Sequence, residues 1–97
     1  MNLTMEQCII VHLGIQAKKT GPKNSWISKE DIAEGRCTPK NTRTGVLVRL
    51  LWAALTMPDG VLDWRGSEFK LNEEWFMKNC DAFIERIRDL AESDDEV

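Results

Sequence analysis

The chain has 97 residues, 42% of them hydrophobic and 30% charged, with a formal net charge of −3. These values describe one small globular domain with material for a single core, and they exclude a disordered chain. Cys8, Cys37 and Cys80 are widely spaced and form no CxxC or Cys/His pattern, so no metal site or other cofactor is expected and a reducing, cytoplasmic setting fits best.

The first predicted element is a helix that starts at Leu3-Thr4-Met5-Glu6-Gln7, where Thr4 and Gln7 have the spacing of a capping box, and runs to about Lys18. Met5, Ile9, His12 and Gln16 share one stripe, while Ile10, Val11, Leu13 and Ile15 spread apolar character round the rest. Such a helix is expected at the centre of the core, with His12 a satisfied core imidazole. Met1 to Gln7 lacks the basic start of a signal peptide, and no segment approaches the roughly 18 apolar residues of a membrane span. Thr20 to Asn24 reads as a loop, made basic by Lys18, Lys19 and Lys23, with Trp26 packed beneath it.

A helix-turn-helix pattern follows. Ser28 is an N-cap for a short helix over Lys29 to Glu34 with acids in its first turn and Ile32 and Ala33 facing inward; Gly35-Arg36-Cys37 breaks it. Thr38 and Pro39 are suited to cap and open a third helix from Pro39 to about Met57. Its core stripe is Leu47, Leu50, Leu51 and Ala54, with Asn41, Thr42, Gly45 and Arg49 on the other side. The first turns offer Lys40, Asn41, Thr42, Arg43 and Thr44, donors and acceptors suited to phosphates and base edges; a solvated helix end has the same composition. Val48, Trp52 and Leu55 leave the second half apolar all round, to be covered by neighbouring elements or, at Trp52, by a dimer interface.

Pro58 and Asp59-Gly60 stop the helix. Val61 to Trp64 and Phe69 to Leu71 read as two strands joined at Gly66, with Phe69 and Leu71 inward and Lys70 outward. Arg65 is the one tip residue with a charge suited to phosphate, but Asp63 and Glu68 would repel phosphate, so a plain structural hairpin is the favoured expectation for the wing. Asn72 caps a last helix whose stripe Phe76, Cys80, Phe83, Ile84, Ile87, Leu90 and Ala91 predicts one buried face, with Cys80 a core thiol and Glu85 and Asp89 in solvent. One domain is expected over residues 1–91, followed by an acidic tail over 92–97 that solubilises the chain or imitates phosphates.

Charge divides unevenly along the chain. Residues 1–50 hold eight Lys/Arg against four acids, a surplus of four, whereas residues 51–97 hold five against twelve, a deficit of seven. A basic face for phosphates, an acidic face for a protein, or an uneven solvated surface would each give this split. With one histidine and no nucleophile elbow, phosphate loop or zinc motif, no enzymatic activity is expected.

The order helix, helix-turn-helix, hairpin, helix resembles the winged helix-turn-helix domains of small transcription regulators. Ser28-Lys29-Glu30-Asp31-Ile32-Ala33 and Thr38-Pro39-Lys40-Asn41-Thr42-Arg43 carry the resemblance, which covers Leu3 to Leu71. It implies a mainly α domain with a small β-hairpin whose third helix enters the major groove. Lys40, Asn41, Thr42 and Arg43 would then contact bases or phosphates. Two functions follow: a DNA-binding regulator, expected as a homodimer, binding double-stranded DNA through these residues with help from Arg49, Lys18, Lys19, Lys23 and Arg65; or a protein-binding inhibitor or adaptor, such as phages encode against host nucleoprotein machines, anti-CRISPR proteins included. The second would use either the basic half or the acidic last helix as its contact surface.

Overall fold

The computed structural model describes residues 3–19 and 25–95. Its elements are α1 (Met5–Lys19), β1 (Ile27–Ser28), α2 (Lys29–Ala33), α3 (Thr44–Leu55), β2 (Leu62–Arg65), β3 (Glu68–Leu71) and α4 (Glu73–Asp95). The expected mainly helical domain with a small hairpin is present, and the hairpin carries a third strand. All pairing is antiparallel in the order β1-β3-β2, with Ile27 opposite Phe69 and Leu62 opposite Leu71.

Thr4 and Gln7 open α1 reciprocally: the Gln7 backbone N–H donates to Thr4 Oγ1 at 3.1 Å and the Thr4 N–H to Gln7 Oε1 at 3.0 Å. The helix buries Cys8, Ile10, Val11 and Gly14. Met5, Ile9, His12 and Gln16 lie on its exposed face, so His12 is no core imidazole; it meets Gln16 Nε2 at 2.9 Å. At Gly14 the helix lies close on the sheet, where an added Cβ would stand 2.9 Å from Leu71 Cβ. Alanine would recover about 1 kcal/mol of helix propensity, but overpacking a full core costs about 1 to 3 kcal/mol. Gly14→Ala is therefore expected to lower the denaturation midpoint, and Gly14→Val to lower it further; an unchanged midpoint for Gly14→Val would show that α1 can slide off β3.

Ser28 is both the end of β1 and the N-cap of α2. Its Oγ accepts from the Asp31 N–H at 3.0 Å, and Asp31 Oδ2 accepts from the Ser28 N–H at 3.2 Å. Arg36 Nε donates to Asp31 Oδ1 at 2.7 Å. The Arg36 hydrogen bond, joined by those from Ser28, holds the Asp31 carboxyl below the usual aspartate range despite partial burial. Because the folded-state value is depressed, this stabilisation is complete above the unfolded value of about 4 and is lost as pH falls through the folded one. Asp31→Asn is expected to destabilise at neutral pH and to flatten the acid limb of a stability–pH curve. An acid limb of unchanged steepness in the variant would contradict the assignment.

The third helix begins five residues later than the sequence predicts. Thr38 Oγ1 donates to the Gly35 carbonyl at 3.3 Å, and both the Oγ1 and the N–H of Thr42 donate to the Pro39 carbonyl, at 2.7 and 3.0 Å. These threonines close local turns rather than cap a helix, a competition open to side chains that can bond nearby backbone. Arg43 takes the N-cap position with no side-chain cap. Leu50, Ala53 and Ala54 are buried, and Leu47 and Leu51 half-buried.

Gly66, at φ 61°, makes the hairpin turn, and β3 places Phe69 and Leu71 in the core with Ile10, Val11, Ile32, Leu50 and Val61. Asn72 caps α4 by accepting from the Trp75 N–H at 2.7 Å. The expected buried face of α4 is covered only in part. Phe83 is buried and Phe76, Cys80 and Leu90 are half-buried, but Ile84 and Ile87 are exposed, so Cys80 is not enclosed in the core. Helical pairing continues through Glu92 to Asp95, into the segment expected to be a tail. Among the described residues no helix is long and apolar enough to cross a membrane.

Candidate nucleic-acid interface

Between Glu34 and Asp59 the chain holds no acidic residue and four cations, Arg36, Lys40, Arg43 and Arg49. Arg36 is engaged by Asp31 and Glu34. Lys40, Arg43 and Arg49 are exposed and form no ion pair among the described residues. The fold produces this through the turn between α2 and α3. Gly35, at φ 76°, takes the left-handed conformation that ends α2 and brings the chain against Leu47 of α3, leaving residues 39–43 to cross the surface ahead of the α3 N-terminus.

The late start of α3 redistributes the expected contacts. Lys40, Asn41 and Arg43 are exposed in the approach to the helix, and Thr42 is half-buried with its hydroxyl committed to Pro39. The exposed helical face is instead Thr44, Gly45, Val48, Arg49 and Trp52. Gly45 has no atom within 4 Å of a built Cβ, so the backbone there is open to close approach. Arg49 and Trp52 edge a shallow groove between α1 and α3, with Thr4, Gln7 and the acidic Glu6 on its other side.

The remaining candidates do not gather there. Lys18 is half-buried in a cleft with Asp63, Glu73 and Glu74, an acidic setting set by the start of α4. Lys19 is exposed at the end of α1, and Lys23 lies outside the described residues. Arg65 is not the free tip charge expected: Nη2 pairs with Glu68 Oε1 at 3.2 Å, and the guanidinium lies 4.1 Å from the Trp26 ring centroid. Lys70 stands 5.1 Å from the same ring. Trp26 thus packs against the outer face of the hairpin, an arrangement signalled only by its place one residue before the β1 partner of Phe69.

Trp52 is 67% exposed and Val48 60%, so among the described residues no element covers the apolar side of α3. Burial pushes the Cys8 and Cys37 thiols up, with Asp31 adding to the effect at Cys37, which keeps both protonated and weakly nucleophilic. Among the described residues no three His, Cys, Asp or Glu side chains gather as metal ligands. Comparison of the chain with family models, with curated proteins and with solved structures returns no match.

Proposed function

We propose that this protein is a winged helix-turn-helix regulator that binds double-stranded DNA through α3 and the turn before it. The observation that carries the reading is the acid-free segment with three exposed cations, Lys40, Arg43 and Arg49, that form no ion pair among the described residues. Unpaired surface cations bind phosphate at no cost in broken ion pairs. The order α1-β1-α2-α3-β2-β3 supports it, because α3 packs on α1 and α2 and leaves its opposite face, with Thr44, Gly45, Val48, Arg49 and Trp52, open to a groove.

Roles follow from position. Lys40 and Arg43, ahead of the helix, contact phosphates and fix the register; Arg49, one turn inside it, reaches a base edge, with guanine the preferred partner of a guanidinium. Asn41 sits beside the phosphate contacts rather than on the helix. Arg65, tied to Glu68 and Trp26, contributes weakly. Amide shifts on titration with duplex DNA should change at Lys40 to Trp52 and leave α4 unmoved. Changes confined to α4, or none at all, would defeat the proposal.

A second reading, the protein-binding inhibitor or adaptor, is favoured by one observation: the exposed Val48, Trp52 and Leu55 beside the basic segment. Apolar side chains flanked by cations suit an acidic protein surface as well as DNA. Trp52→Ala separates the two, since it abolishes a protein contact centred on the indole but leaves phosphate-driven DNA binding largely intact.

A further inference from the structure

The open face of α3 begins with two neighbouring rows of side chains that differ in chemistry. Thr44 and Val48 stand one helical turn apart in the first row, Gly45 and Arg49 one turn apart in the second, and every one of them is exposed. The Thr44–Val48 row presents methyl groups; the Gly45–Arg49 row presents bare backbone and a guanidinium. Val48 is 60% exposed. Both rows lie in the opening turns of the helix, the part of a groove-bound helix that meets base edges, whereas Trp52 lies a turn further on. No acidic residue occurs between Glu34 and Asp59, so the charges of this stretch that flank the methyl row are cations.

We infer that Val48, with Thr44 beside it, reads the 5-methyl group of thymine in the major groove, next to the base that Arg49 contacts. This rests on the DNA reading above and deepens it from phosphate binding to a base preference. The fold leaves the Val48 side chain in water, and an apolar group so placed gains from a partner only where that partner is apolar too. Thymine alone supplies such a group on a major-groove edge; the other bases offer hydrogen-bond donors and acceptors there. The minor groove carries no methyl, so the contact also fixes the groove that α3 enters.

The same geometry sets the spacing of the target bases. Consecutive Cα atoms stand about 3.8 Å apart, close to the step of about 3.4 Å between base pairs. Val48 and Arg49 therefore address neighbouring base pairs, and the thymine is expected within a step or two of the guanine. Gly45, one turn before Arg49, has no side chain to hold that row away from the DNA.

Fluorescence anisotropy at fixed low salt tests this with a mixed-sequence duplex that contains every dinucleotide step, made once with thymine and once with uracil throughout. The two duplexes differ only in the 5-methyl groups. Wild type is expected to bind the thymine duplex about fourfold more tightly, the effect of taking one methyl-sized group out of water. Val48→Ala, a change at an exposed helical position, should bind both duplexes alike with an unchanged salt slope. Lys40→Ala should weaken both equally and keep the ratio, because a phosphate contact carries no base information. Equal wild-type affinity for the two duplexes, or a ratio that survives Val48→Ala, would overturn the thymine contact while leaving the phosphate contacts standing. Failure to bind either duplex would overturn it and the DNA reading together, in favour of an acidic protein on the same face.

Discussion

Phe69→Ala is expected to lower the stability of the protein by about 3 to 5 kcal/mol, the usual cost of emptying a fully buried phenylalanine site. Phe69 is completely buried on the central strand, opposite Ile27 on one side and Trp64 on the other, with the Trp64 ring 5.1 Å away. A small domain holds only about 5 to 15 kcal/mol in total, so about a fifth or more of the margin goes with one side chain. Thermal unfolding should shift down by roughly 15 °C or more, given about 4 to 8 °C per kcal/mol at this size. A loss below about 1 kcal/mol would mean that the site collapses without a cavity and that β3 is not the centre of the core.

On the proposed reading, replacing Lys40, Arg43 and Arg49 together by alanine should nearly abolish binding to duplex DNA while leaving the fold intact, because all three are exposed and none forms an ion pair among the described residues. Each phosphate contact contributes about 0.9 to the slope of log affinity against log salt, so the slope should flatten by up to roughly 2.7. Extrapolated from 1 M, that is about a tenfold loss per contact at 0.1 M salt. The single variants separate the roles. Lys40→Ala and Arg43→Ala should weaken all sequences alike, whereas Arg49→Ala should also relax preference at one base pair, at a cost of about 1 to 3 kcal/mol. Equal loss on every sequence from Arg49→Ala would reduce that residue to a phosphate contact.

The parts of the fold legible in the sequence are those set by short-range chemistry. Thr4 with Gln7, Ser28 and Asn72 cap helices where their side chains predict, Gly66 turns the hairpin, and alternation puts Phe69 and Leu71 inside. Thr38-Pro39 misleads because a threonine before a proline fits both a helix start and a turn; the hydroxyls of Thr38 and Thr42 settle on carbonyls three residues back. β1 escapes because two residues carry no periodicity, and its pairing to Phe69 and Glu68 lies some 40 residues away. His12, Ile84 and Ile87 expose a general limit: spacing shows that residues share a helix face but not that another element covers it. Arg65 was legible as a tip charge, yet its neutralisation by Glu68 and its stacking on Trp26 depend on the sheet being assembled.

On the proposed reading, an acidic protein binds DNA through a local concentration of exposed cations. Fluorescence anisotropy of the wild type against a mixed-sequence duplex at low salt, followed by stepwise addition of salt, tests it most directly. The predicted result is saturable binding whose logarithm falls linearly with the logarithm of salt concentration. No binding up to about 100 µM protein, the weak end of ordinary non-specific affinity, or binding that salt leaves unchanged, would contradict it.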